Sequence, residues 1–240
     1  MDEIRYNNPA IVEAVFELRF SGSSPWNISS FIEFAALAKA EGYTKLVDAA
    51  QGFQVNFPMS ESVAPQITRV AGRIQTWNEE GTQLWQAGPQ LYAANRRKPY
   101  RGWEQFRPHI LRGFELYKQV ANPQEAETLV LQYVNRVEAD IPRDFVTFLP
   151  PEIQYADTIS NFACRTDQVY SDGDMIATIS ARDTTSTSEM AVILQVVYTM
   201  NRPSLVEQDL SDNIDKAHLR IVEAFEKSIT PKQRERMQPT

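Results

Sequence analysis

The sequence is poor in the residues from which most catalytic and metal centres are built. Cysteine occurs once, at Cys164, and histidine twice, at His109 and His218, in 240 residues. A lone cysteine makes no intramolecular disulfide and fits a reducing compartment. Zinc sites need clustered histidine, cysteine and carboxylate ligands, and no such spacing is present. Asp172-Gly173-Asp174 reads as a turn, and neither a metal nor a cofactor is expected. Glycine is scarce, at nine residues, with no dinucleotide fingerprint and no Walker loop. No Gly-x-Ser-x-Gly elbow presents a nucleophilic serine. Long apolar runs are missing too, and none approaches the ~20 residues that span a bilayer. The opening Met1-Asp2-Glu3 is acidic where a secretory leader would be basic. A cytoplasmic setting without membrane contact is expected.

Positive charge is in deficit. Lys and Arg number 24 against 31 Asp and Glu, a net charge of −7. Phosphate contacts rest on Lys and Arg, so the balance argues against nucleic acid as the main partner. Outside the C-terminus one dense basic cluster remains, Arg96, Arg97, Lys98 and Arg101. Hydrophobic residues make up 42% of the chain, enough for a sizeable core in one large domain or two small ones.

The patterns that are present place the elements. Phe16, Leu18 and Phe20 alternate with Glu17 and Arg19, so 11–20 is predicted as a half-buried strand. Ile28, Phe31, Ile32, Ala35 and Ala38 fall at helical spacing and predict a helix over 28–40 that stops at Gly42. Strands are predicted at 53–57 and 67–78. The turn Asn78-Glu79-Glu80-Gly81 leads into another at 82–86, and a short one follows at 90–95. The chain is organised around Gly102 to Arg136. There Trp103, Phe106, Ile110, Phe114, Tyr117 and Ala121 share one helical stripe. Gly113 in its middle costs ~1 kcal/mol against alanine and suggests a close approach to a sheet. A strand at 128–138 follows, with Leu129, Leu131, Tyr133, Asn135 and Val137 on one face and Arg136 on the other. Pro142, Pro150 and Pro151 mark 141–157 as an irregular connection. That gives halves 1–140 and 141–240, as two domains or one continuous domain. The second half predicts strands at 158–170, 175–181 and 190–200, with the tight turn Asp172-Gly173 between the first two. A long helix over 209–228 and a short one begun by Thr230-Pro231 close the chain. Runs of adjacent strands separated by single helices predict an α+β fold: antiparallel sheets, helices packed on one face, and a long C-terminal helix. The two halves are similar enough in layout for a pseudo-repeat.

Candidate binding residues are polar groups at half-buried positions. Arg69 and Arg73 lie in the strand predicted at 67–78 and need carboxylate or carbonyl partners, Glu17 being one candidate. Asn135 shares a face with Tyr133, and Arg136 sits among valines. Each is either a register-fixing pair or an anchor for a ligand. Trp103 and Arg107 open the central helix, in an aromatic-rich region that suits a protein partner. His109 is expected to face solvent, and His218 to be half-buried and hydrogen-bonded.

Three stretches together resemble a known family. These are Asn8-Pro9-Ala10-Ile11-Val12-Glu13-Ala14-Val15-Phe16-Glu17-Leu18-Arg19-Phe20, then Tyr100-Arg101-Gly102-Trp103-Glu104-Gln105-Phe106-Arg107-Pro108 with Tyr133-Val134-Asn135-Arg136, then Ala217-His218-Leu219 through Ala224-Phe225-Glu226 to Ile229-Thr230. They are similar, in order, to a sporadically distributed family of uncharacterised prokaryotic proteins. Ala10 stands where that family's pattern has a second proline. The resemblance carries over no catalytic residue. The patchy distribution is like that of mobile defence or toxin–antitoxin genes, and implies an accessory or neutralising protein partner. The chemistry that is missing points the same way, to a non-enzymatic binding protein. The alternative is a small-molecule pocket between a curved sheet and the C-terminal helix, with Arg69, Arg73, Tyr133 and Asn135 as polar anchors.

Overall fold

A computed structural model describes residues 6–21, 26–49, 53–56, 66–69, 72–138, 142–148, 161–185 and 191–239. In chain order the elements are β1 (Ile11–Phe20), α1 (Ile28–Ala40), β2 (Lys45–Ala49), β3 (Phe53–Asn56), β4 (Gln66–Arg69), β5 (Arg73–Trp77), β6 (Gln83–Gly88), β7 (Leu91–Arg97), α2 (Trp103–Ala121), β8 (Ala126–Glu138), β9 (Ala163–Val169), β10 (Met175–Arg182), β11 (Ala191–Asn201), α3 (Glu207–Ser228) and α4 (Pro231–Met237). A short 3-10 turn, Pro142–Asp144, follows β8.

Nine strands form one antiparallel sheet in the order β2-β5-β6-β7-β1-β8-β11-β10-β9, and β3 and β4 pair as a separate hairpin. The first strand of the chain is therefore central, between β7 and β8. Across the sheet Trp85, Ala94, Phe16, Leu131 and Tyr198 stand side by side in register. All five are buried in the main core, with side chains from α1, α2 and α3 packed against them. This is the expected α+β architecture, with helices on one face and α3 as the long C-terminal helix. The sheet runs unbroken past residue 141, because β8 pairs with β11 from Ala191↔Glu138 to Asn201↔Thr128. A smaller apolar cluster under the chain ends joins Val137, Val192, Leu194, Ile229 and Met237. There the lead-in pairs with the tail: the Asn7 amide donates to Gln238 O at 3.0 Å and the Asn8 amide to Met237 O at 3.0 Å.

Helix α2 is seated unusually close to the sheet, and Gly113 makes that possible. Trp85 Nε1 donates to the His109 carbonyl at 3.0 Å, and the Tyr92 hydroxyl to the Ile110 carbonyl at 2.7 Å. Both rings rise from strands into the space that a side chain at 113 would fill. Tyr117 Oη, a turn further on, donates to Gly88 O at 3.0 Å. Three aromatic side chains thus bind helix and sheet through buried polar tips, which aromatic residues with a hydroxyl or indole N–H can do without stranding a donor.

Some expectations change. The strand predicted at 67–78 is two strands in different sheets: β4 pairs with β3, and β5 pairs with β2 and β6. Arg69 and Arg73 therefore do not share a strand. Residues 57, 70–71, 158–160 and 190, placed in strands above, lie outside the described residues. His109 does not face solvent; it is 7% exposed. Its ring stacks on Trp85 at 5.2 Å, and its Nδ1 lies 2.9 Å from the Tyr43 hydroxyl. Helix α2 packs against α1 as well as the sheet, so its buried arc is wider than a single stripe. His109, Gly113 and Leu116 form a second buried line at helical spacing.

Candidate ligand-binding cavity

Tyr133 and Asn135 stand two residues apart in β8, so both project to the helix-covered face. Opposite them, α3 presents His218, Val222, Phe225 and Glu226, at steps of four, three and one along a single helical face. The β7–α2 connection and the first turn of α2 supply a third wall, and the lead-in around Tyr6 to Ile11 closes the fourth. Between them lies a cavity of about 560 Å³, inside the range of roughly 300–1,000 Å³ typical of small-molecule sites. A larger depression of about 1040 Å³ lies among loops at 124–127 and 201–206. It has no aromatic lining and is a surface groove.

One wall is a hydrogen-bonded aromatic set. The Trp103 and His218 rings are stacked 4.2 Å apart and within 5° of parallel. His218 Nδ1 is 2.8 Å from the Tyr133 hydroxyl, which is 3.2 Å from the Tyr100 hydroxyl. The Trp103 ring is fixed from behind, because its Nε1 donates to Asp215 Oδ1 at 3.1 Å. Arg107 grips the same carboxylate with two bonds, at 2.8 and 3.1 Å, and also reaches Ser211. Such a bidentate pair is directional, and it ties the start of α2 to α3. The far end is polar as well. Tyr6 Oη donates to Glu226 Oε1 at 2.6 Å, and Arg234 Nε to Oε2 at 2.7 Å. Burial, together with the Glu226 carboxylate, raises the Tyr6 phenol well above its ordinary pKa, so it stays a donor. On the floor Asn135 is 1% exposed; its Nδ2 donates to Leu194 O at 3.1 Å, and its Oδ1 accepts from no described group. A buried acceptor left unpaired costs about 1–3 kcal/mol.

Of the residues singled out from the sequence, Trp103, Tyr133 and Asn135 line this cavity. Arg107 stands one layer behind, positioning Trp103 through Asp215. Arg136 points to the other face of the sheet. Its Nε donates to Asp183 Oδ2 at 2.7 Å, and it also pairs with Glu138, which makes it a register-fixing ion pair. The Thr185 hydroxyl, with Arg136, holds the Asp183 carboxyl down to about 2. Arg69 lies in the separate hairpin, and Arg73 in β5, three strands removed from β8 across β6, β7 and β1. Arg73 does not line the cavity, and Glu17 pairs with Arg19; the side chain of Arg69 lies outside the described residues. Sequence reasoning missed Tyr6, Tyr100 and Glu226, and gave His218 no partner. Only the helical spacing of 218, 222, 225 and 226 hinted at a shared face.

The arrangement can hold a molecule against an aromatic wall and offer it hydroxyl, imidazole and amide groups. Among the described residues no group of three or more His, Cys, Asp or Glu is placed to hold a metal ion, and no helix is long and apolar enough to cross a membrane. Residues Asn8 to Ile11, Tyr100 to Glu104 with Tyr133 and Asn135, and His218, Val222, Phe225 and Glu226 converge here from separate parts of the chain. Comparison with known proteins gives no match to a family model, a curated protein or a solved structure.

Proposed function

We propose that this chain is a cytoplasmic small-molecule-binding protein whose site is the cavity between β8 and α3. The observation that carries this is the convergence of Tyr100, Trp103, Tyr133, Asn135 and His218, from separate elements, on one cavity of about 560 Å³. Sites of this kind combine apolar walls with a few placed polar groups, and here the Tyr100 and Tyr133 hydroxyls and the His218 ring stand among the aromatic lining. The lone Cys164 supports a reducing compartment. The test is purification from the native host, followed by denaturation and mass spectrometry of released metabolites. A Val222→Trp variant, which fills the cavity from α3, serves as control. One compound released in stoichiometric amount from the wild type, and at least about tenfold less from the variant, is expected for a loss of about 1.4 kcal/mol or more. Equal release from both, or none from either, would sink the proposal.

A protein partner of the accessory or neutralising kind, in a prokaryotic defence or toxin–antitoxin module, has separate support. Ile28 and Ile32 on α1, and Leu46 and Val47 on the edge strand β2, are exposed apolar side chains at one end of the sheet. An edge strand also presents unpaired backbone groups to which another chain can add. The same purification decides this. A stoichiometric protein retained by Val222→Trp but lost by Ile32→Asp would place the partner there, and its persistence in both would exclude that surface.

A further inference from the structure

Among the described residues the cavity's lip carries positive charge that is not neutralised. Arg96 is 6% exposed, yet among the described residues it pairs with no carboxylate. Its Nη2 donates to Gln105 Oε1 at 3.0 Å, and its Nε has no partner. Arg96 is in register with Ala14 on the helix-covered face, beneath the first turn of α2. Of the charges that act on it, Arg101 opposes its charge and the Glu80 carboxylate, without forming an ion pair, favours it as the smallest contribution; Tyr43 and His109 carry none at neutral pH. A buried guanidinium without a counter-ion is expensive. The start of α2 adds to the imbalance. Gly102 caps the helix with no side-chain hydrogen bond, so the partial positive charge of the helix end faces the lip.

Lys98 and Arg101 stand on that lip, both exposed, and neither forms an ion pair with a described residue. The described carboxylates around the cavity do not cancel them. Asp215 is taken by Arg107 and Trp103, and Glu226 by Tyr6 and Arg234. Among the described residues Glu104 is the one carboxylate of the lip itself. Against it stand Lys98, Arg101, the helix end and, behind them, Arg96.

We infer that the cavity takes a small organic anion, its body against the Trp103–His218–Tyr133 wall and its acidic group at the lip beside Lys98, Arg101 and the first turn of α2. This rests on the ligand-binding reading above and names the class of ligand. Carboxylate and phosphate share the chemistry that the lip recognises. Arg96 acts through the field it adds behind the lip rather than by contact.

The experiment is a charge series on one ring: benzoate, phenyl phosphate, neutral benzamide and cationic benzamidine, titrated by calorimetry or ligand-observed NMR. At least one of the two anions is expected to bind about tenfold or more tighter than benzamide, and their order tells carboxylate from phosphate. Added salt should weaken the anion and leave benzamide unchanged. The double variant Lys98→Gln, Arg101→Gln, both exposed, should bring the ratio of anion to benzamide affinity down about tenfold, to near one. Glu104→Gln should raise it. Benzamide or benzamidine binding as tightly as the anions would overturn the inference while leaving the cavity a binding site. No binding by any probe, or binding unaffected by Val222→Trp, would overturn the ligand-binding reading and the inference with it.

Discussion

Gly113→Ala is expected to destabilise the fold by about 3 kcal/mol or more, although alanine is the better helix former. In an exposed helix interior the exchange gains roughly 1 kcal/mol. Here the new Cβ would lie closer than 3.0 Å to both Trp85 Nε1 and the Tyr92 hydroxyl. Neither ring has room to retreat, since both are essentially fully buried. Moving them breaks the bonds to the His109 and Ile110 carbonyls, each worth about 1 kcal/mol net and more when a buried donor is left unpaired. Overpacking adds about 1–3 kcal/mol. Urea unfolding of wild type and variant measures the sum. Trp85→Phe in the Gly113→Ala background removes the indole nitrogen that the methyl meets, so the two changes should be coupled rather than additive. A Gly113→Ala protein as stable as wild type would show that α2 does not lie as close to the sheet as described.

Acid should destabilise the protein before its carboxylates begin to titrate, because of His109. Burial, with a smaller contribution from the Arg96 charge, pushes the imidazole pKa from 6.5 down to about 3. The unfolded chain takes up a proton near pH 6.5, whereas the folded protein does not until about pH 3. The stabilising difference is therefore complete above pH 6.5 and is lost as pH falls through that window. The slope is about 1.4 kcal/mol per pH unit, up to about 5 kcal/mol across the window. Asp183, Asp172 and Glu41, whose pKa values are lowered by their partners, contribute only below the ordinary carboxylate range. The upper part of the window therefore isolates the histidine. Denaturant midpoints measured from pH 7 to 5 should fall for wild type and fall much less for His109→Phe, which keeps the ring stack on Trp85 and Tyr43 without the titrating nitrogen. Parallel curves for the two proteins would show that His109 is solvated.

How far the sequence could be read depended on the range of the interactions. Period-2 runs such as Phe16, Leu18 and Phe20, and the turn at Asp172-Gly173, are local, and they led to the right strands. Strand β2 gives no such signal, since Leu46 and Val47 are exposed at the sheet edge and no alternation marks a buried face. The strand predicted at 67–78 joined β4 to β5 because both match the pattern, while the pairing that separates them is tertiary. His109 was misplaced because a helix wedged between a sheet and another helix buries more than one stripe. In the cavity, Tyr133 and Asn135 were legible as polar groups on the inward face of a strand. The partner of Tyr133, His218, lies 85 residues away, and no periodicity spans that distance. Arg69 and Arg73 attracted attention by the same rule as Asn135, but the strand order keeps Arg73 away and places Arg69 in another sheet.

The central place of β1 has a consequence for biosynthesis. Glu13 is paired with Arg97 on one side and with Val134 on the other. Ribosomes add about 5–20 residues per second, so this strand waits roughly 6–25 s before its second neighbour is made. Until β7 is made, Phe16, Leu18 and Phe20 have no neighbouring strand at all, and until β8 is made one edge of β1 stays open. Closing loops of this size before any contact rewards it also makes folding slow. The sheet around its first strand cannot be completed until β8 has been made. Its first strand is a transient sticky segment on the nascent polypeptide, a natural binding site for chaperones at the ribosome exit.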